Sequence, residues 1–316
     1  MLTKIVKEIA DHRSFLITSH ESPDGDAVGS TLAMANYLGA LGKEVTVFLS
    51  DPVPEIYRFL PRAEQVLQTI PDQDFDVCFV LDVGEFIRAG KAIVECRRIG
   101  KFINIDHHKG CDPFGSINLI DPQAAATGAL IYRIIKTAGH EVDYATALCI
   151  YTAIITDTGS FRYSNANTEA FTIAGEMVAK GVNAWYVSER LYESQPRQRL
   201  ELLALALPTL SISPAGTFAS LTVNLDMYEK TGATAELTDG FINYPRSIQG
   251  VEVALFFRET KKGLYKVGFR SKGKVDVSAL AAAFGGGGHH NAAGCMIEGE
   301  LEEIRQSLFD HLEKAI

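Results

Sequence analysis

The sequence predicts an α/β protein with two domains, an amino-terminal doubly wound parallel sheet and a smaller carboxy-terminal α/β domain. Up to about residue 190, short apolar runs alternate with segments whose apolar residues recur at helical spacing. After Pro208, strand-like segments follow one another more closely, with Lys261-Lys262-Gly263 as a hairpin turn. A chain of 316 residues also exceeds what one hydrophobic core usually supports. We therefore expect a first domain over residues 1–190, a helical linker over 191–208 and a second domain over 209–316.

The elements of the first domain follow from these patterns. Strands are expected where apolar residues run together, at 15–18, 44–49, 77–81 and 102–105. Helices are expected where apolar residues recur every three or four positions, at 29–41, 86–97, 128–138, 144–155 and 168–180. A helix-compatible segment at 185–206, rich in charged residues and glutamine, is the predicted connector.

The second domain combines strands and two helices. Its strands are expected at 217–225, 251–257, 264–270 and 295–297, and its helices at 277–284 and 301–315. A glycine-rich loop, 285–294, is expected between the first of these helices and the last strand.

Imidazoles and carboxylates come directly after three predicted strands, and one more carboxylate follows a helix. These residues are His20, Asp24 and Asp26; Asp82; Asp106, His107 and His108; and Asp157. Because the carboxyl ends of parallel strands meet at one edge of a sheet, the side chains are expected to converge there. A solvated acidic turn would explain any one of these groups, but it does not explain their recurrence.

Four carboxylates and two imidazoles are more than one metal ion can use. Two ions about 3.5–4 Å apart, with one bridging carboxylate, can use all six: His20, Asp24, Asp26, Asp82, His107 and Asp157. Asp82 is the candidate bridge. Oxygen and nitrogen ligands without thiolate favour two Mn²⁺, with Mg²⁺ as the alternative. A water shared by two such ions is acidic enough to be hydroxide near neutral pH, and hydroxide can attack phosphorus. The predicted reaction is therefore hydrolysis of a phosphoester.

Two residues of the same group are predicted to support catalysis without holding a metal. Asp106 is expected to orient an imidazole. His108 is expected to donate a hydrogen bond to a phosphate oxygen or to protonate the leaving group. The string Asp157-Thr158-Gly159 also matches aspartic proteases, but those enzymes need a second acid of the same kind, and this chain has only one such string.

The glycine-rich loop is a candidate anion-binding site. Consecutive glycines expose backbone N–H groups that can form an anion nest, and an arginine near the loop can hold phosphate with two hydrogen bonds. The predicted substrate-binding residues are Arg270, Ser271, Gly287, Gly288 and His289. The alternative is that the glycines form a helix C-cap and a flexible turn.

The composition limits the partners that we expect. A formal net charge of −9 argues against a protein that tracks long nucleic acid, whereas a short phosphate ligand is compatible because bound cations reverse the local field. The apolar runs are shorter than the roughly 18 residues that a membrane span needs, and the start lacks a signal-peptide pattern. We therefore expect a cytoplasmic protein without a membrane partner.

Four motifs in this order resemble those of the DHH phosphoesterase superfamily: His20-x-x-Pro23-Asp24-x-Asp26, Asp82, Asp106-His107-His108 and Asp157-Thr158-Gly159. The run of four glycines before His289, with Ala292-Ala293-Gly294 after it, resembles the hallmark of the DHH-associated carboxy-terminal domain. The resemblance implies a catalytic first domain with a di-manganese centre, a second domain that grips the substrate, and a cleft between them.

The resemblance also implies how the ligands are shared. His20, Asp24 and Asp82 would hold one ion, whereas Asp26, Asp82, His107 and Asp157 would hold the other. His108 would touch the scissile phosphate.

Within the superfamily, a two-domain chain of this kind is most similar to the nanoRNase/pAp phosphatase group. That resemblance implies a Mn²⁺-dependent enzyme that degrades short oligoribonucleotides exonucleolytically and dephosphorylates 3'-phosphoadenosine 5'-phosphate (pAp). The expected partners are short RNA or nucleotide phosphates, and a homodimer is the candidate assembly. Two alternatives stay open at this point: a phosphodiesterase of linear or cyclic dinucleotide second messengers, and a non-enzymatic nucleotide-binding regulator. The complete set of six ligands counts against the regulator.

Overall fold

The protein consists of two compact units, Met1–Ser194 and Gln195–Ile316. The structure is a computed structural model that describes residues 1–315, including every side chain except those of His289, Lys314 and Ala315. Each unit has its own sheet, five-stranded in the first and six-stranded in the second. The predicted α/β class, with a parallel sheet followed by a smaller α/β unit, is therefore confirmed.

The first unit is built on a parallel sheet with strand order β2-β1-β3-β4-β5. The strands are β1 (Ser14–Thr18), β2 (Glu44–Val47), β3 (Phe75–Leu81), β4 (Ile99–Asp106) and β5 (Ile117–Ile120). The chain moves to one side of β1 for β2 and to the other side for β3. Such a reversal opens a crevice beyond the carboxyl ends of β1 and β3, where ligands bind in open α/β sheets.

Helices of very different length cover the two faces of this sheet. They are α1 (Leu2–Asp11), α2 (Gly25–Ala40), α3 (Lys91–Val94), α4 (Thr127–Thr137), α5 (Tyr144–Asp157), α6 (Thr168–Ala179) and α7 (Ala184–Ser188). Alternate strand residues face opposite sides. Phe15 and Phe79 pack in the large core under the long helices, whereas Leu16 and Cys78 pack in a smaller core that includes Ile93 of α3.

Some of the predicted elements of the first unit were wrong. The helix predicted at 86–97 is a 3-10 turn, Phe86–Ala89, followed by α3, and Gly90 between them has a φ of +89° that no right-handed helix accommodates. Strand β5 was not predicted, because its four residues are all half-buried and lack the apolar run of a central strand.

The helix predicted at 185–206 is interrupted. It consists of α7, a π-helical turn at Glu189–Glu193 and, after Pro196, a separate helix α8 (Arg197–Ala206). Proline lacks an N–H and fixes φ, so it starts α8 more readily than it continues the preceding helix. Leu202 and Ala206 of α8 pack with Phe241 in a core of the second unit, so this part of the predicted linker belongs to that unit.

The second unit has a mixed sheet with strand order β10-β11-β9-β8-β7-β6. The strands are β6 (Ser211–Ile212), β7 (Phe218–Val223), β8 (Val253–Lys261), β9 (Leu264–Ser271), β10 (Gly287–His289) and β11 (Ala292–Glu298). The remaining helices are α9 (Leu225–Thr231), α10 (Asn243–Ser247), α11 (Val277–Ala283) and α12 (Leu301–Ala315). The predicted hairpin turn between β8 and β9 is confirmed, with Gly263 at a φ of +69°. None of the helices in residues 1–315 is both long and apolar enough to cross a membrane.

Helices α2, α4 and α5 approach one another closely because two glycines flank Ala153. A Cβ on Gly29 of α2 would lie 2.8 Å from the carbonyl oxygen of Cys149 and 2.9 Å from the Cβ of Ala153. A Cβ on Gly128 of α4 would lie 2.5 Å from the same methyl group. The junction brings the starts of α2 and α4 and the end of α5 together at one edge of the sheet.

We predict that Gly29→Ala destabilises the protein, although alanine is the better helix former by about 1 kcal/mol. The added methyl group would meet backbone atoms of α5, and overpacking of this kind typically costs about 1–3 kcal/mol. Gly175→Ala in α6 is the matched control, because no atom lies within 4 Å of the place that its Cβ would take, and the substitution should raise the melting temperature. Thermal unfolding of both variants tests this. Equal shifts of the same sign would show that the junction tolerates a side chain.

Candidate metal centre

The metal-ligating residues predicted from the sequence converge at the carboxyl edge of the parallel sheet. His20 follows β1, Asp82 follows β3, and Asp106 is the last residue of β4. Helix α2 begins at Gly25, four residues before its predicted start, because Asp24 caps it by accepting hydrogen bonds from the N–H groups of Asp26 and Ala27. Asp26 therefore lies in the first turn of the helix and not in a loop.

Three overlapping groups of side chains have ligand atoms close enough to hold a metal ion, all within 4.8 Å of one another in each group. They are His20, Asp24 and Asp82; Asp26, His107 and Asp157; and Asp82, His107 and His108. All six residues predicted as ligands belong to the first two groups, and Asp82 reaches the second group as well.

The two oxygens of Asp82 face different imidazoles. Its Oδ2 lies 4.0 Å from Nε2 of His20, and its Oδ1 lies 3.5 Å from Nε2 of His107. His107 Nε2 also lies 3.6 Å from Asp26 Oδ2 and 3.7 Å from Asp157 Oδ2. These separations are long for hydrogen bonds, but they suit ligands that share an ion at about 2.1 Å. The arrangement fits two ions with Asp82 between them.

Both imidazoles are oriented for ligation. The Nδ1–H of His20 donates to the carbonyl oxygen of Glu21 at 2.8 Å, and that of His107 donates to the carbonyl oxygen of Ala124 at 3.2 Å. A backbone acceptor on Nδ1 keeps the proton there, so that Nε2 presents its lone pair to the carboxylates.

Thr127 and Gly128, at the start of α4, hold two of the carboxylates. The N–H groups of Thr127 and Gly128 donate to the two oxygens of Asp26 at 2.6 and 3.0 Å. The Thr127 hydroxyl donates to Oδ1 of Asp82 at 3.0 Å. The positive end of the helix dipole adds to this stabilisation. Thr127 was not among the predicted site residues, because its only local signal in the sequence is a hydroxyl residue at the start of a predicted helix.

Asn165 holds the carboxylate of Asp157 through a hydrogen bond, and it too was not among the predicted site residues. Its Nδ2 donates to Oδ2 of Asp157 at 2.8 Å and to the carbonyl oxygen of Ala125 at 2.9 Å. The turn after α5 therefore returns to Asp157, and Asn165 ties it both to this carboxylate and to the segment before α4.

Asp106 lies behind the ligands and has three hydrogen bonds. Its Oδ1 accepts from the backbone N–H of His108 at 2.7 Å and from Nδ1 of the same ring at 2.8 Å. Its Oδ2 accepts from the N–H of Gly84 at 2.7 Å, in the turn that begins with Asp82 at a φ of +61°. Burial alone would raise the pKa of Asp106, but the hydrogen bonds and the charge of His108 hold it below its ordinary value. One carboxylate thus fixes both the turn after Asp82 and the ring of His108.

The carboxylates destabilise one another electrostatically. Burial raises the pKa of Asp26 and of Asp82, and the charges of the neighbouring carboxylates raise both further. Burial likewise raises the pKa of Asp157 to about 6. Burial opposes the charged form of His107, but Asp157 and Asp26 raise its pKa above the ordinary value. A cation at this position would relieve the repulsion, which is the electrostatic signature of a metal site.

The substrate-binding residues predicted in the second unit have varied surroundings. Arg270 lies near the end of β9, between Ala254 and Ala292 of the adjacent strands. Ser271 is buried and its hydroxyl donates to Glu252 at 3.3 Å. The predicted glycine loop forms a helix cap and a strand: the N–H groups of Gly285 and Gly286 cap α11, and Gly287 and Gly288 pair with β11 in β10. The side chain of His289 lies outside the described part of the chain, and substrate binding by these residues stays a prediction.

Known proteins share both domains of this chain. Residues 14–154 match the model of the N-terminal domain of the DHH family, and residues 217–315 match that of the DHHA1 domain. A bifunctional oligoribonuclease and PAP phosphatase NrnA from Thermus thermophilus is 35% identical over 302 residues, which cover 95% of this chain and 89% of that protein. A protein with the same name from Bacillus subtilis is 27% identical, covering 94% of this chain and 93% of its own.

A solved structure has the same fold. The crystal structure of an exopolyphosphatase-related protein from Bacteroides fragilis has a TM-score of 0.92 and 29% identity, covering 99% of this chain and 95% of its own.

We predict that Asp82→Asn raises the melting temperature of the metal-free protein at neutral pH and removes most of the stabilisation that Mn²⁺ gives the wild type. Asparagine keeps the shape and tolerates the left-handed φ of this position, but it removes a buried charge whose pKa is raised. Each kcal/mol of repulsion removed should be worth about 2–4 °C. Thermal unfolding with EDTA and with added Mn²⁺ measures both effects.

Asp76→Asn is the control, because Asp76 lies at the opposite edge of the same sheet. Hydrogen bonds from the N–H groups of Ser14 and Arg13 lower its pKa, so its neutralisation should destabilise the protein without changing the response to Mn²⁺. Full Mn²⁺ stabilisation of the Asp82→Asn variant would rule out Asp82 as a bridging ligand.

Proposed function

Because the chain belongs to the DHH family, as a phosphoesterase of its NrnA-like group, we propose that it degrades very short oligoribonucleotides exonucleolytically and removes phosphate from pAp with two Mn²⁺. The names of the relatives from Thermus thermophilus and Bacillus subtilis support the substrates. The observation that carries the metal chemistry is Asp82, whose two oxygens face separate groups of ligands.

In this proposal, His20, Asp24 and Asp82 hold one ion, and Asp26, Asp82, His107 and Asp157 hold the other. The ions, when bound, supply positive charge at the phosphate and an acidic water as the nucleophile. The protein keeps the ligands in place before the substrate arrives: Thr127 and Gly128 fix Asp26, and backbone carbonyls fix both imidazoles. Such preorganisation avoids rearrangement during the reaction.

His108 is the proposed proton or hydrogen-bond donor to the phosphate. Its Nδ1 is bonded to Asp106, so Nε2 is the nitrogen that would meet the substrate. With Nδ1 held by Asp106, a proton on Nε2 could be donated to a phosphate oxygen or to the leaving group. The alternative is ligation by His108, whose Nδ1 lies 3.4 Å from Oδ1 of Asp82.

The second unit is proposed to contact the far end of the substrate through Arg270, Ser271, Gly287, Gly288 and His289. An arginine at the end of a strand provides a guanidinium for a phosphate group. Short RNA and pAp are expected in the cytoplasm, which is also the compartment that the sequence predicts. The homodimer likewise stays a prediction.

A substrate panel tests the proposed function. We expect the enzyme with Mn²⁺ to release mononucleotides stepwise from RNAs of two to seven nucleotides and inorganic phosphate from pAp, and to act slowly on long RNA. Chromatography of the products, with cyclic dinucleotides in the same panel, separates the possibilities. Preference for a cyclic or linear dinucleotide messenger over both RNA and pAp would overturn the proposal, as would activity on bis-p-nitrophenyl phosphate alone.

We predict that His108→Ala keeps the wild-type metal content and lowers kcat by about 10²-fold or more, the loss expected for a general acid or a transition-state donor. Metal analysis of the purified protein and steady-state kinetics on pAp measure the two quantities. His107→Ala is the control and should lose metal as well as activity. Loss of one ion from His108→Ala would instead identify His108 as a ligand.

A further inference from the structure

The turn that follows Asp157 has an unusual backbone. Gly159, Ser160 and Phe161 all adopt the left-handed region, with φ values of +55°, +60° and +60°. Residues with a Cβ rarely adopt it, and runs of them are rarer still. A Cβ on Gly159 would lie 2.3 Å from the ring of Tyr163, so only glycine fits there. A tightly specified turn next to a metal ligand suggests that it presents a functional side chain.

The cationic side chain of this turn is that of Arg162. Its Nε donates to the carbonyl oxygen of Gly159 at 2.6 Å, which fixes an otherwise flexible residue, although the residue is exposed. In residues 1–315, no carboxylate lies within ion-pair distance of this guanidinium. The side chain is therefore anchored at Nε and exposed to solvent, as a ligand-binding arginine requires.

The same turn carries a hydroxyl group, that of Ser160, which is paired with a second one. Ser160 donates a hydrogen bond to the phenol oxygen of Tyr192 at 2.9 Å, and Tyr192 belongs to the π-helical turn Glu189–Glu193. Burial raises the pKa of Tyr192, while Ser160 and the nearby charge of Arg162 oppose that increase. Since the Tyr192 oxygen accepts from Ser160, its own hydrogen can be donated to a ligand. We name Ser160, Arg162 and Tyr192 the Arg162 cluster.

We propose that the Arg162 cluster binds the non-scissile phosphate of a nucleotide substrate, next to the phosphate that is cleaved. The Arg162 guanidinium, together with the Tyr192 hydroxyl that accepts from Ser160, is a set of donors that suits a phosphate dianion. Ser160 and Arg162 lie on the turn that starts at Asp157 and that Asn165 ties back to this ligand, so their position is coupled to that of the metal centre. The inference rests on the proposed function, and it specifies that the preferred substrates carry phosphates at both the 3' and the 5' position of one nucleoside.

The comparison of pAp with 3'-AMP isolates this contact, because the two molecules differ only in the 5'-phosphate. We expect Arg162→Ala to reduce the ratio of kcat/KM for pAp to that for 3'-AMP by about 10- to 100-fold, the effect of losing one or two charge-assisted hydrogen bonds. Arg162→Lys should restore part of the ratio, and Tyr192→Phe should lower it by a smaller factor. Arg98→Ala is the matched control: Arg98 is exposed and precedes β4 at the opposite edge of the sheet, so the ratio should not change.

Equal losses on both substrates would overturn the inference, because they would show that Arg162 only supports the turn at Asp157. A second measurement separates this result from failure of the proposed function. With Ca²⁺ in place of Mn²⁺ to suppress turnover, calorimetry should show tighter binding of pAp than of 3'-AMP to the wild type, and Arg162→Ala should lose that difference. If the difference is present and depends on Arg162 but neither substrate is cleaved with Mn²⁺, the function fails and the phosphate site stands. If the wild type does not discriminate between them, the phosphate site fails.

Discussion

The repulsion among four carboxylates at one edge of a parallel sheet is the constraint on which the rest of the first unit depends. Asp82 is almost fully buried among them, and its pKa is raised by burial and by its neighbours. The fold holds it there through hydrogen bonds: Thr127 donates to its carboxylate, and Asp106 fixes the turn that follows through the N–H of Gly84. Such a cluster costs stability until cations occupy it, because buried charge of one sign has little solvent to screen it.

The close packing of α2, α4 and α5 places hydrogen-bond donors next to these carboxylates. Gly29 and Gly128 have no side chains, so α2 and α4 can approach Ala153 of α5 closely. The same approach directs the first two N–H groups of α4 at Asp26, where the helix dipole favours a negative charge. A larger residue at either glycine would affect the core first, and the metal centre would be displaced with it.

The local part of this site could be predicted from the sequence, but the long-range part could not. His20, Asp82 and Asp106 each follow an apolar run, and parallel strands bring such residues to one edge whatever the rest of the chain does. Thr127 and Asn165 lie in segments whose sequence gives no sign that they contact Asp82 or Asp157, because those contacts depend on helix packing. The glycines at 285–288 were ambiguous for another reason: glycine permits a cap, a close strand pair and an anion nest equally well. Only the partners of Gly285 and Gly286 show that these two serve as a cap.

The proposed preference for short substrates can arise because few protein cations are available to bind phosphates. It does not require a steric barrier to longer chains. The formal net charge of −9 gives RNA no general attraction to the protein. Affinity gained from counterion release grows with the number of phosphates that meet a protein cation. If the metal centre and Arg162 bind two phosphates of one substrate, as proposed, every further phosphate needs a cation of its own to add affinity. Where no such cation is provided, a further nucleotide adds negative charge to a complex with a protein of net charge −9, so a longer chain would gain little affinity and lose conformational freedom on binding.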